Sequence, residues 1–341
     1  MAFERHESQV EAKFKEGFWA PLRALRGVAL KAENYLQRVR GSGLLVGLLG
    51  LCGVFTLLSP HFLTSTNLLN IALQSSVTIV TSVGMTFVIA SGGIDLSTGS
   101  VLALSGIIMA KAMKAGVSVP LSILAGLLIG ALAGGINGSI IAQIRISPLI
   151  VTLAMMSVAR AIALIITEAR AIYGMPMMFR FLGSGYIGPI PTPFIIAMFT
   201  AGMGWILLER ATLGRATLAI GGNEEAARLA GINTKLYKIV IYTLASLSSA
   251  IGAVITTARL NTAEPIAGYL AEMDAIAAVV MGGTALTGGE ATIAGSIIGA
   301  LIMATLRNGL TLLSVQPYLQ QLTTGIVIVI AVAMDQLRRR R

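Results

Sequence analysis

The chain has 341 residues, of which 55% are hydrophobic and only 12% charged, with a formal net charge of +10. A soluble domain carries roughly 25% charged residues, so this composition excludes a chain whose whole surface meets water. It is too apolar for disorder, and a single cysteine, Cys52, cannot build a disulfide framework.

What remains is an all-α polytopic membrane protein. The positive charge does not point to nucleic acid. Eight basic residues precede Gly41 and four more form the run 338–341. Basic ends flanking apolar spans follow the positive-inside rule, so membrane lipid is the expected surrounding and nucleic acid is not a partner.

Residues 1–42 hold 13 charges and no uninterrupted apolar stretch before a small-residue cleavage site, so they do not read as a cleavable signal. They read as a cytoplasmic, partly amphipathic extension. Two roles stand side by side: lying on the membrane surface, or a solvated tail that sets orientation. The transmembrane domain follows over 43–335, and 336–341 is a basic cytoplasmic tail.

A crossing takes about 20 apolar residues. Eight segments meet that pattern at 43–59, 68–90, 118–142, 149–167, 193–208, 238–258, 291–313 and 318–335. Two shorter or Gly-interrupted segments, 97–113 and 272–287, raise the minimum of eight to about ten. With ten, both termini, Arg145 and the polar stretch 209–237 share the cytoplasmic side, while Lys111, Lys114, Arg170 and Arg180 fall outside.

The two weak segments resemble each other. Placing Gly92–Gly93 on Gly282–Gly283 also pairs Leu96 with Leu286, Ser97 with Thr287 and Gly99 with Gly289, an offset of 190 residues. This suggests a parallel internal repeat. Broken helices at membrane depth are tolerated only inside protein or along a cavity, and paired interruptions point to the centre of a transporter. Close helix packing explains a Gly-Gly pair equally well.

Ionisable groups inside spans are functional candidates by default. Here they are Asp95, Arg160, Glu168, Glu272, Asp274, Glu290 and Arg307. Asp95 can contact solute at a re-entrant turn or cap the helix that follows, and Ser97 and Ser100 nearby favour the cap. Arg160 can pair with a carboxylate in the bundle, Glu168 near the end of the same span being the weaker candidate. The pathway is expected beside the Gly-Gly breaks and along the second span, at Asn70, Gln74, Gly92, Gly93, Asp95, Gly282 and Gly283. Neither His6 nor His61 lies in a clear span, no His-Cys cluster suggests a metal, and no GxxxxGK[ST] offers an ATP site in this chain. Asp95 and Asp274 are the only plausible pair for an ion-coupled transporter.

Charge is concentrated in 213–242, LGRATLAIGGNEEAARLAGINTKLYKIVIY. Residues 222–232 read as a short amphipathic helix. Asn223 can cap it, Glu224 and Glu225 fill its first turn, and Gly231 can end it. Such a helix suits docking to a soluble partner.

The segment Glu225-Ala226-Ala227, then Gly231, then Ile241 resembles the EAA motif of ABC importer permeases. With GMTFVIASGGIDLSTGSVLALSG, EMDAIAAVVMGGTALTGGE and the ending PYLQQLTTGIVIVIAVAMDQLRRRR, the chain from about residue 43 onward is similar to the ribose-type sugar permeases of the branched-chain-permease-like group. Ser147-Pro148-Leu149 stands where that family is expected to have Pro-Ala-Phe. The resemblance implies a bacterial inner-membrane subunit with a coupling helix at Asn223, Glu224, Glu225, Ala226, Ala227 and Gly231. It also implies a separate ATPase that binds ATP and Mg, a periplasmic sugar-binding protein and a second permease copy, commonly identical. This chain itself would bind no cofactor and would be no enzyme.

Overall fold

The computed structural model describes residues 42–339, so the extension expected at 1–42, but for its last residue, and the final two arginines lie outside the described residues. The described chain is helical with four two-residue strands. In chain order the elements are α1 (Ser42–Leu58), α2 (Ser65–Ala90), α3 (Thr98–Lys114), α4 (Val119–Ile144), α5 (Pro148–Thr167), β1 (Ile172–Tyr173), α6 (Met177–Ser184), β2 (Tyr186–Ile187) and β3 (Ile190–Pro191). There follow α7 (Thr192–Glu209), α8 (Thr212–Gly222), α9 (Glu224–Leu229), α10 (Thr234–Leu260), β4 (Thr262–Ala263), α11 (Ala271–Met281), α12 (Ile293–Leu312) and α13 (Pro317–Arg339).

Among the described residues, six helices are long and apolar enough to cross a membrane: α2, α4, α5, α7, α10 and α12. α1 and α3 have 17 residues each. The second Gly-interrupted segment differs most from expectation. Its helix, α11, has only 11 residues, about 16 Å at 1.5 Å per residue, against a hydrocarbon core of about 30 Å. A non-helical stretch precedes it, in which Gly268 packs against the backbone of Gly99 at the start of α3.

Burial separates inner from outer helices. In their most apolar windows α2 and α10 bury 72% and 61% of residues, against 28% and 22% for α4 and α5. Buried side chains of α2, α10, α11 and α12 share one apolar cluster, and those of α3 with part of α10 form a second.

Small residues set the closest approach. Gly126, Gly130, Gly134 and Gly138 recur every four residues on one face of α4, as in small-xxx-small packing. A methyl group at Gly134 would lie 2.3 Å from the Tyr242 carbonyl oxygen of α10, and one at Gly138 2.6 Å from the Ile239 Cα. Along the α2–α12 contact, Asn67 and Asn308 exchange two buried amide hydrogen bonds of 2.9 Å, and the hydroxyls of Thr86 and Ser296 lie 2.8 Å apart. These pairs hold α2 antiparallel to α12.

Two small sheets order the 168–191 connection and the exit from α10. β1 pairs antiparallel with β4, and β2 with β3 forms a hairpin. Asn261, the left-handed cap of α10, accepts the Met175 amide on its side-chain oxygen at 2.8 Å.

Candidate functional site

The polar stretch 209–237 folds as two helices. The longer, α8, was not expected. The shorter, α9, lies within the expected 222–232, and the Asn223 side-chain oxygen accepts the Ala226 amide at 2.9 Å to cap it. Its last residues close on a glycine with φ of +87°, Gly231, whose amide donates to Arg228 and whose successor Ile232 donates to Ala227. Only Ala227 of this helix is buried; Glu224, Glu225, Ala226, Arg228 and Leu229 are exposed. Glu225 accepts from Arg228 at 3.0 and 2.5 Å, and Lys238 donates to Glu224 at 2.6 Å. The Arg228 hydrogen bond holds the Glu225 carboxyl below the usual carboxylate range. The helix thus shows water a row of charges, the small Ala226 and one large apolar side chain, Leu229, which is 75% exposed.

α8 ends two residues before α9, and its last turn touches the end of α2 beside the first Gly-Gly break and the turn at Gly288–Gly289. A methyl group at Gly221 would lie 1.9 Å from the Ala90 carbonyl oxygen and 2.6 Å from the Gly289 amide nitrogen. One at Gly288 would lie 2.8 Å from the Gly221 Cα and 2.9 Å from the Gly92 nitrogen. The Gly289 amide donates to Ala90 at 2.9 Å. Three backbone segments therefore meet at a joint that has no room for side chains. The sequence carried a signal for it in further Gly-Gly pairs at 221–222 and 288–289.

The two breaks share a helix ending. Gly92, with φ of +81°, donates to Ile89 while Gly93 donates to Val88; Gly283, with φ of +86°, donates to Val280 while Thr284 donates to Val279. Both are 6→1 and 5→2 closures of a helix C-terminus. In structure Gly92 therefore matches Gly283, one residue away from the sequence pairing. The likeness is local, since the helices that precede the breaks have 26 and 11 residues. Gly93 faces Tyr242, whose hydroxyl would lie 2.2 Å from an added methyl, and Gly282 packs on the backbone of Gly295.

Asp95 is fully buried between the first break and α3. Its Oδ1 accepts from the Ser97 amide at 2.8 Å and the Ser97 hydroxyl at 2.6 Å. Asp95 thus orders the turn before α3, and Ser97, which makes no side-chain cap, is the N-cap. Asn137 donates to the Ser97 hydroxyl at 3.1 Å, and the Thr152 hydroxyl donates to the Ile94 carbonyl at 3.2 Å. Asp95 Oδ2, Asn137 Oδ1 and the Tyr242 hydroxyl have no partner among the described residues.

The remaining intramembrane charges are arranged differently from expectation. Arg160 donates to the Pro265 and Ala267 carbonyls at 2.6 and 2.9 Å, holding the stretch before α11. Glu168 instead ends α5 in a left-handed conformation and is exposed, so the Arg160–Glu168 pairing is replaced by backbone contacts. Arg307 of α12 meets Asp274 of α11 at 2.5 Å. These two residues line a cavity of about 200 Å³ together with Gln74, Thr78 and Arg259. Asn70 is exposed one turn along α2 from Gln74. Among the described residues no group of three or more His, Cys, Asp and Glu side chains is placed to hold a metal.

The family model described as branched-chain amino acid transport system / permease component matches residues 67–332. The chain belongs to this permease family. It is similar to the ribose import permease protein RbsC of Bacillus subtilis, 46% identical over 296 residues that cover 86% of this chain and 92% of that protein. The Escherichia coli K12 protein of the same name is 41% identical, over 85% of this chain and 92% of its own length. The D-allose transport system permease protein AlsC of E. coli K12 is 40% identical, with 83% and 88% covered. No solved structure matches the chain. The chain is thus a multi-pass membrane permease component of a transport system, and ATP hydrolysis is the task of another subunit.

Proposed function

We propose that the chain is the membrane subunit of an ATP-driven bacterial importer that moves a monosaccharide or similar polyol inward. The observation that carries this reading is similarity over 83–86% of the chain to permeases named for ribose and allose. The arrangement of charge supports it. Asp274 is paired with Arg307 and Asp95 Oδ1 with Ser97, so the two carboxylates are not free together as an ion-coupling pair. Energy then has to enter from a partner.

The entry point is α9. Residues Asn223, Glu224, Glu225, Ala226, Ala227 and Gly231 form the coupling element, which sits in a cleft of the ATPase subunit where ATP and Mg bind. Displacement of α9 is passed through Gly221 to Ala90, beside the first Gly-Gly break, and to the turn at Gly288–Gly289. Alternating access is a population shift that nucleotide binding in the partner biases.

Ten segments cross the membrane, with the turns of 264–270 and the short α11 together as one crossing, and both termini are cytoplasmic. The pathway runs along α2 past Asn70 and Gln74 toward the turns at Gly92, Gly93, Asp95, Gly282 and Gly283. A second copy of the permease faces it, membrane lipid surrounds the pair, and a periplasmic binding protein delivers the sugar.

The test is purification of the tagged chain from its host in mild detergent, with mass spectrometry of what accompanies it. A P-loop ATPase is expected, and Glu225→Lys is expected to lose it while the permease stays folded. A chain that comes down alone and monodisperse overturns the ATP-driven reading. Normal assembly and uptake in Glu225→Lys overturns the coupling assignment.

A further inference from the structure

A neutral, hydroxyl-rich solute needs hydrogen-bonding side chains inside an otherwise apolar bundle. α2 supplies them in a row: Asn70, Gln74 and Thr78 are four residues apart and so share one helix face. The row is not sealed in the core. Asn70 is exposed, and Gln74 and Thr78 are half-buried. It leads into the cavity lined by Arg259, Asp274 and Arg307.

The charges there are hard to explain as scaffolding. Replacing a buried ion pair by packed apolar residues is often neutral or stabilising, and ionisable groups within membrane spans mark solute paths. The Asp274 side chain is 12% exposed and that of Arg307 40%. The pair therefore borders a space and is not locked in close packing. A carboxylate is an acceptor only and a guanidinium a donor only. Side by side they match two adjacent hydroxyls of a sugar, one donating and one accepting. Met303 and Ala304, also in the lining, offer apolar surface to the C–H face of a ring. At about 200 Å³ the space is below the 300–1,000 Å³ of sites for drug-sized ligands, which suits one ring and not a chain of rings.

We propose that this cavity is a transit subsite for a single monosaccharide, recognised by the Asp274–Arg307 pair with Gln74 as the neutral partner on α2. The inference rests on the sugar-importer reading and places the solute's hydrogen bonds in that path.

The experiment uses the complete transporter with its ATPase and binding protein in proteoliposomes, with radiolabelled D-ribose, D-allose and L-arabinose as probes. Uptake of none of the three by the unaltered complex counts against the sugar reading itself and is read before any variant. With a transported sugar in hand, Asp274→Asn and Arg307→Gln are each expected to assemble and hydrolyse ATP normally. Their uptake is expected to fall about tenfold, the loss of one charge-assisted hydrogen bond. The charge swap Asp274→Arg with Arg307→Asp is expected to assemble without regaining uptake. Full uptake in Asp274→Asn, or recovery of uptake in the swap, overturns the subsite and makes the pair a strut. If the single charge variants fail to assemble, Gln74→Leu decides. It leaves the pair intact and is expected to lower uptake several-fold at unchanged ATP hydrolysis; unchanged uptake there also overturns the subsite.

Discussion

Asn67 and Asn308 show how much of this molecule is decided one residue at a time. They are 241 residues apart and satisfy each other's amides in the core. Removing one partner strands the other, which costs about 1–3 kcal/mol, whereas replacing both with apolar side chains of similar shape is nearly neutral. Asn308→Leu is therefore expected to lower the thermal midpoint in detergent, and the double change Asn67→Leu with Asn308→Leu to recover most of it. A loss in the double variant equal to the sum of the losses in Asn67→Leu and Asn308→Leu would show that the pair contributes no coupling. Neither partner can be inferred from position, since the sequence offers many neutral polar residues of similar standing near or within its spans. The glycine joint is as specific. Gly221→Ala places a methyl against Ala90 and Gly289, overpacking of ~1–3 kcal/mol, and is expected to lower stability and uncouple ATP hydrolysis from uptake. Gly222→Ala meets nothing within 4 Å and is expected to behave as the unaltered protein in both assays.

At the scale of elements, the long helices were readable because an apolar run of span length leaves the backbone few alternatives to helix. The expected segments 68–90, 118–142, 149–167, 193–208, 238–258 and 291–313 each fall within a residue or two of α2, α4, α5, α7, α10 and α12 at most ends. The weak segment at 272–287 was misread in extent, because Gly268 and the Schellman turn at Gly283 confine α11 to 11 residues. Gly130, Gly134 and Gly138 of α4 form a packing surface against α10, while Gly126 faces α3, and two neighbours separate that role from general intolerance. Gly134→Ala collides with the Tyr242 carbonyl, whereas Gly135→Ala makes an ordinary 3.7 Å contact with Thr243. The first is expected to broaden or aggregate on size exclusion in mild detergent, and the second to elute as a single peak. For α9, the Glu225 carboxyl is held low by Arg228, so the ion pair persists above the ordinary carboxylate range and is lost as pH falls through the depressed value. Both side chains are fully solvated, and exposed pairs contribute little. The role of Glu225 is therefore expected to show in ATPase binding and not in the melting temperature.

Across the whole molecule, the exposure pattern separates two kinds of surface. α4 and α5 show rows of leucine and isoleucine, Leu128, Leu132, Leu149 and Ile150 among them, as a lipid-facing side requires. Leu132→Arg is expected to cost roughly 2.5–3.5 kcal/mol at a span centre and to lower the protein recovered in the membrane fraction; an unchanged level would show that this face does not meet lipid. The α2 face with Asn70 is polar where a lipid-facing side would be apolar. A cysteine at Asn70 in a Cys52-free background is expected to cross-link to a second copy, and failure of cross-linking at any linker length would remove the second copy from that face.

The class and the membrane setting were determined by sequence alone, and the short helix proposed as the coupling element was legible there as well. Hydrophobicity and charge act residue by residue, and the Glu225–Gly231 helix is local: its cap, first turn and terminator lie within nine residues, 223–231. Only the tertiary structure decided which polar residues act together. Asp274 and Arg307 lie 33 residues apart and Gln74 much further, while Gly221, Ala90 and Gly289 come from three separate segments. In an apolar bundle most polar side chains can find a partner within their own helix. Those that reach across do so because helix packing, set by glycine stripes and buried amide pairs, brings them within hydrogen-bond distance.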